Sequence, residues 1–245
     1  MASLAVFDFD RTVVHEDSDA TIIERLREKQ PEWESDNQDW TPYMSDVETV
    51  SSSAVNVFEH AYSAGFHPSD ILDSIASMRP NPGMVELITT LAEKGWNVVL
   101  LTDANSVFVN HWLKTQDLEA AITTVITNRA FWQNGRLFIE PCMRQNVCPK
   151  CPSNLCKSLA LEKWCGQKKY DNIIYCGDGR NDFCPAVNLP ENAIVFPRKG
   201  YTMDNLIKKD AASPNPQMKA KVIPWVDGFR ILQEVFPENS KLIIC

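Results

Sequence analysis

No stretch of this 245-residue chain approaches the roughly 18 consecutive apolar positions that a membrane-spanning helix needs. No membrane partner is therefore expected. Basic residues are in short supply: 24 Lys and Arg stand against 32 Asp and Glu, for a net charge of −8. That balance argues against nucleic acid or an anionic lipid surface as partner, and any anion site has to be made positive locally. An uninterrupted apolar leader is missing too, because Asp8 and Asp10 break the first apolar run. A cytoplasmic location is the resulting expectation. With Cys245 last, no prenylation is expected. Eight cysteines would suit the disulfide framework of a small secreted domain, but in a chain of this size without an export signal they read as mostly reduced thiols.

Apolar runs at 4–9, 96–101, 122–127, 172–176 and 193–196 alternate with segments of helical spacing at 82–95, 106–118, 152–165 and 227–236. Several runs are Val/Ile-rich and apolar at successive positions, as in strands buried on both faces of a parallel sheet. The expected fold class is α/β, a doubly wound parallel sheet, whose sites form beyond the carboxyl ends of the strands. Some 80 residues separate Thr12 from Trp96, against the dozen or so of an ordinary crossover. Something folded is inserted there. Ile22, Ile23 and Leu26 mark one helix face, Tyr43, Met44, Val47, Val50, Ala54, Val57, Phe58 and Ala61 a longer one, and Ile71, Leu72, Ile75 and Ala76 a third. Residues 16–80 are read as a helical cap over a core made of 1–15 and 81–245. Glu32 to Asp39 reads as a solvated acidic loop, and Asn134-Gly135 as a type I′ hairpin turn.

The first run ends in Asp8-Phe9-Asp10-Arg11-Thr12. Strand alternation aims Asp8 and Asp10 the same way and leaves Phe7 and Phe9 to pack behind. Two adjacent carboxylates at a buried strand end need a cation or a shared proton, unless they are simply solvated acids. Oxygen ligands of this kind suit Mg²⁺, commonly completed by substrate phosphate. A second acidic cluster, Gly177-Asp178-Gly179-Arg180-Asn181-Asp182, follows the run at 172–176. Alone it fits a turn or a calcium loop, although it lacks the spaced acids and terminal Glu of an EF-hand. One cation shared by both clusters is the economical reading. Thr102, at the end of its strand, and Lys157, on a predicted helix, are candidate phosphate donors, though each is structurally ordinary when taken alone.

Taken together, these motifs resemble the haloacid dehalogenase superfamily of phosphotransferases, in the family's order: Asp8 to Thr12, then Thr102, then Lys157, then Gly177 to Asp182. The insertion resembles the cap arrangement called type C1. Asp17-Ser18-Asp19, Asp103-Ala104-Asn105-Ser106, the run Cys148-Pro149-Lys150-Cys151-Pro152-Ser153-Asn154-Leu155-Cys156-Lys157, and Pro197-Arg198-Lys199-Gly200-Tyr201 narrow the resemblance. They look like the phosphoethanolamine/phosphocholine phosphatase family, with its relatives among pyridoxal-phosphate phosphatases and plant thiamine-phosphate and pyrophosphate phosphatases. The resemblance implies an Asp8 nucleophile and an Asp10 acid/base. It also implies Mg²⁺ on Asp8, the Asp10 carbonyl and Asp178, phosphate contacts from Thr102 and Lys157, and Asp182 behind them. A non-catalytic scaffold would be expected to lose one of these acids, and a receiver domain would be about half this length.

By the same resemblance, Asp19 and Asp103 bind the substrate's leaving group, which implies a phosphorylated amine or vitamin, with pyrophosphate as the alternative. The competing reading is that both are helix N-caps. Cys148, Cys151 and Cys156, with Cys142 as a possible fourth ligand, read either as a structural zinc site or as thiols packing a loop beside Lys157. His15 reads as structural or as a group at the substrate entrance.

Overall fold

A computed structural model describes residues 2–30 and 57–237. The acidic segment from Glu32 to Asp39, and Tyr43, Met44, Val47, Val50 and Ala54 of the long helix face, lie outside the described residues. Strands β1 (Ser3–Phe7), β2 (Asn97–Asn105), β3 (Thr124–Gln133), β4 (Arg136–Glu140), β5 (Asn172–Gly177), β6 (Ala193–Pro197) and β7 (Lys221–Val222) form one sheet in the order β4-β3-β2-β1-β5-β6-β7. Every pairing is parallel except β3 with β4. The α/β doubly wound fold class is borne out.

The continuous apolar runs have a direct cause. Along β1, Ala5 and Phe7 belong to one apolar cluster and Leu4 and Val6 to another, and β2 divides Val98 and Leu100 from Val99 and Leu101 in the same way. Each face of the sheet carries its own core, so neither parity of residue can be polar. Strand β1 is flanked by β2 on one side and β5 on the other, and the chain reverses its direction of winding there. The crevice at the carboxyl end of β1 is the topological switch point.

Around the sheet lie α1 (Ser18–Lys29), α2 (Val57–Ser63), α3 (Pro68–Ala76), α4 (Met84–Glu93), α5 (Ser106–Thr115), α6 (Lys157–Cys165), α7 (Arg180–Asn188), α8 (Thr202–Ala211) and α9 (Gly228–Val235). Helices α1 to α3 belong to the inserted segment. Their Ile22, Leu26, Phe58 and Ile75 join the same apolar cluster as Phe108 and Trp112 of α5. The hairpin turn has φ of +52° at Asn134 and +83° at Gly135, as a type I′ turn requires.

Four elements differ from the sequence reading. Strand β2 runs past Leu101 to Asn105 with a register shift between them, so Thr102 and Asp103 lie within it. Buried Asn128 holds that irregular stretch by donating to the Asp103 and Ala104 carbonyls at 2.7 and 3.0 Å. Helix α6 begins at Lys157, not at residue 152, because the preceding carbonyls of Cys148, Cys151 and Pro152 accept from the Gln145 side chain instead. Helices α7 and α8 have no counterpart among the predicted segments. The first carries Pro185 in its interior and the second carries Asp204, Asn205, Lys208, Lys209 and Asp210, so neither shows a broad apolar stripe.

Close packing of α9 on α4 depends on two glycines. Gly228 donates to the Pro82 carbonyl at 2.7 Å, and a Cβ on Gly228 would overlap the Gly83 carbonyl. Gly228→Ala should therefore lower unfolding stability by about 1–3 kcal/mol in urea melts. An unchanged midpoint would contradict this packing.

Candidate active site

The apolar ladder of β1 extends one residue beyond Phe7, where the Asp8 N–H donates to the Cys176 carbonyl at 2.9 Å. Then the chain leaves the sheet. Residues Phe9–Val13 make one wide turn, closed by Val14 N–H on the Phe9 carbonyl at 3.1 Å, with Arg11 at φ +54°. The turn's outward carbonyls find fixed donors. Asn81 Nδ2 donates to Thr12 and Val14 at 2.8 and 2.9 Å, and the Arg198 guanidinium donates to the Arg11 carbonyl and to Asn81 Oδ1. Arg198 also donates to His15 Nδ1 at 3.2 Å, so His15 braces this turn. The turn brings the Asp10 carboxylate to the start of α1, where the Ser18 N–H and Oγ donate to its two oxygens at 2.8 and 3.0 Å.

Beneath Asp8 sits a fully buried ammonium. Lys157 Nζ lies 2.7 Å from Asp8 Oδ1 and 2.8 Å from Asp182 Oδ1. Asp182 is saturated. Its Oδ1 also accepts from Tyr175 Oη at 2.7 Å, and its Oδ2 accepts from the Gly179 and Asp178 N–H groups at 2.9 and 3.2 Å. Burial pulls the Lys157 pKa down, but Asp182 and Asp8 more than reverse this and hold it above the ordinary lysine value.

Oxygens of Asp8, Asp178 and Asp182 lie within 4.8 Å of one another. Burial, then Asp182, raise Asp178 to about 7; burial, then Asp182, also push Asp8 up, against the pull of Lys157. Three carboxylates around one ammonium leave an excess of negative charge, and hard oxygen donors of this kind fit Mg²⁺. Because Asp182 is already saturated, Asp8 and Asp178 are the side chains left to hold such an ion.

A cavity of about 360 Å³ opens above this floor, lined among others by Asp8, Asp10, Asp17, Asp19, Asp103 and Asp178. The structure thus brings five of the eight predicted site residues to one space, with Lys157 and Asp182 directly below. Thr102 lies apart from the lining, fully buried, its hydroxyl accepting from the Ala104 N–H at 3.2 Å. The N-cap reading of Asp19 and Asp103 is superseded. Asp17 caps α1 by accepting from Ala20 N–H at 3.0 Å, and Asn105 caps α5 by accepting from Val107 and Phe108 at 3.1 Å. Asp103 instead accepts from Asn181 Nδ2 at 2.9 Å. Burial, then Asp17 and Asp103, raise Asp19; burial, then Asp17, Asp19 and Asp8, raise Asp10.

Sequence reasoning gave no role to Asn81, Asn128, Tyr175 or Asn181, and it missed Lys150 as a lining residue. Asn181 carried a signal, standing inside the second acidic cluster, and Lys150 stood inside the cysteine-rich run. Asn81 and Asn128 act through hydrogen bonds between segments far apart in sequence, and Tyr175 through a buried one to Asp182 seven positions on.

If the Lys157 bridge is the structural keystone, Lys157→Met should cost about 3–5 kcal/mol by stranding two buried carboxylates. Tyr175→Phe, which removes one donor, should cost about 1 kcal/mol. Equal losses in denaturant titrations would contradict this ranking.

Comparison with known proteins identifies the family. A family model described as "Putative Phosphatase" matches residues 3–237. The chain is 31% identical over 244 residues to the bovine (Bos taurus) protein named pyridoxal phosphate phosphatase PHOSPHO2, covering 95% of this chain and 96% of that one. It is 29% identical over 235 residues to a human (Homo sapiens) phosphoethanolamine/phosphocholine phosphatase, covering 91% and 84%. A solved phosphoserine phosphatase, described as a phospho-aspartyl intermediate analogue, shares the fold with a TM-score of 0.57 and 17% identity over 95% of this chain and 98% of that one. The chain belongs to the phosphatase family that this model describes, and is a phosphomonoester hydrolase.

Proposed function

We propose that this enzyme hydrolyses a small phosphomonoester whose leaving group is cationic, a phosphorylated amine or aminated vitamin, with Mg²⁺ and through an aspartyl-phosphate on Asp8. The observation that carries the reading is the division of charge in the cavity: a cation-demanding floor at Asp8 and Asp178, and a carboxylate wall of Asp17, Asp19 and Asp103. An anionic phosphoryl group is repelled by the wall and held only at the floor. Its leaving group, facing the wall, is favoured when positively charged. Inserted residues 16–80 act as the cap, contributing Asp17 and Asp19 to this wall.

Asp8, the Asp10 carbonyl and Asp178 would hold Mg²⁺, which when bound would supply charge neutralisation for the approach of one anion to another. An Asp8 oxygen attacks phosphorus as the ester P–O bond breaks, and Asp10 delivers its proton to the departing oxygen. Asp10 then takes a proton from the water that attacks the acyl phosphate, which frees Asp8 and inorganic phosphate. Its setting suits both duties. Burial favours the protonated form at the start, and the Ser18 hydroxyl can donate to the carboxylate or accept from the acid. Lys157 stabilises charge at Asp8 and on the phosphoryl oxygens, while Asp182 holds Lys157 and the 178–179 backbone in register. Thr102, with its hydroxyl already accepting from Ala104, is assigned a phosphate contact by family resemblance.

Arg11, Lys150 and Arg180 line the same cavity and favour a second reading, in which the leaving group is itself phosphate, as in pyrophosphate. A panel of phosphoethanolamine, phosphocholine, pyridoxal phosphate, thiamine monophosphate and pyrophosphate, compared by kcat/KM, separates the two. Asp8→Asn should abolish Mg²⁺-dependent phosphate release, and Asp10→Asn should lower kcat by about 10²–10⁴. An active Asp8→Asn enzyme would falsify the mechanism. Because Asp19 is held above the ordinary carboxylate range, raising the pH ionises it. KM for a cationic ester should accordingly fall more steeply with rising pH in the wild type than in Asp19→Asn. Parallel pH profiles in the two proteins would remove Asp19 from the leaving-group site.

A further inference from the structure

The seven described cysteines are all free thiols, and they divide into two kinds. Cys142, Cys165 and Cys176 pack into the two apolar clusters of the sheet, as small hydrophobes do. Cys148, Cys151, Cys156 and Cys184 belong to neither cluster. Their four sulfurs instead converge, each within 4.8 Å of all the others. Cys184 Sγ lies 3.6 Å from Cys148 Sγ and 4.0 Å from Cys156 Sγ. Sulfurs at the corners of a tetrahedron with zinc–sulfur bonds of about 2.3 Å lie about 3.8 Å apart.

The surrounding backbone is built for such a centre. Residues 141–156 form a long loop without regular structure between β4 and α6, an arrangement that a compact domain seldom keeps without a tie. Gln145 folds the loop into a knuckle, accepting from the Val147 and Cys148 N–H groups at 3.1 and 2.8 Å and donating to the carbonyls of Cys148, Cys151 and Pro152. The fourth thiol comes from α7. This corrects the sequence expectation of Cys142, which lies outside the cluster with its N–H on Asn128 Oδ1 at 3.0 Å. Adjacency in sequence favoured Cys142, but the fold brings Cys184 to the knuckle.

We propose that Cys148, Cys151, Cys156 and Cys184 bind one structural Zn²⁺ that ties the loop to α7. This centre is separate from the carboxylate floor, and soft thiolates select a different ion from hard oxygens. Its position gives it a purpose. Cys156 immediately precedes Lys157, Cys184 lies two residues beyond Asp182, and Lys150, between the first two thiols, lines the substrate cavity. The zinc fixes the elements that carry the buried ion pair and presents Lys150 to the substrate. It takes no part in the reaction.

Full-length protein purified without chelators should carry about one zinc per chain by mass spectrometry of its metals, unaffected by EDTA washes that strip Mg²⁺. Replacement by Co²⁺ should give the intense visible bands and sulfur-to-metal charge transfer of a tetrahedral tetrathiolate. Cys184→Ser should reduce zinc at least tenfold, whereas Cys142→Ser should keep it. Because the cobalt spectrum is read on the wild type, failure of Cys184→Ser to fold leaves the proposal open to refutation. Zinc-free, zinc-replete-grown protein with all these thiols open to alkylation would overturn it. So would iron in place of zinc, an octahedral cobalt spectrum, or loss of zinc on Cys142→Ser with retention on Cys184→Ser.

Discussion

A lysine ammonium with no access to water, held between Asp8 and Asp182, is the constraint around which this molecule is arranged. An isolated charge in that position is untenable, so both carboxylates have to be there, and each has to be delivered by a different element. Asp8 comes from the end of β1, Lys157 from the start of α6, and Asp182 from the first turn of α7. The remaining valences of Asp182 reach further, to Tyr175 within β5 and to the N–H groups of Asp178 and Gly179. A shift in any one of these elements strands a buried charge. The bridge therefore works as a register mark for the whole switch point.

The same arrangement separates two electrostatic tasks. Below, in the proposed reaction, Lys157 and a divalent cation would offset the carboxylates on which the phosphoryl group lands. Above, Asp17 pairs with Arg11 at 3.2 Å, whereas Asp19 and Asp103 have no ion-pair partner among the described residues, and α1 and the irregular end of β2 hold all three open to the cavity. Asp19 and Asp103 are free of capping duty, because Asp17 and Asn105 hold the helix ends. Asp10 stands at the boundary of the two regions, in contact with Ser18 and under the influence of Asp17, Asp19 and Asp8, which suits a group that moves a proton between leaving group and water.

Much of this was legible in the chain. Successive apolar residues in the runs reflect strands with a core on either face, and Asp8, Asp10 and Asp178 stand where those strands stop. What was hidden is of two physical kinds. Pro185 and the charged residues of α8 masked helices whose stability comes from docking more than from amphipathic pattern. Asn81, Asn128, Arg198 and Cys184 act across 24 to 187 positions of sequence or join a cluster that only the fold assembles. Local spacing cannot register such pairs. Lys157 shows both sides: its place before the second acidic cluster was readable, its complete burial between two carboxylates was not.

The central claim is that the phosphoryl group passes through Asp8, held in place by the buried bridge. Acid-quenching the enzyme during turnover and mapping its peptides by mass spectrometry tests that claim most directly. A single phosphoryl adduct on the peptide bearing Asp8, labile to hydroxylamine and absent without substrate, is the predicted result. Full turnover with no adduct on that peptide, or an adduct on another residue, would contradict it.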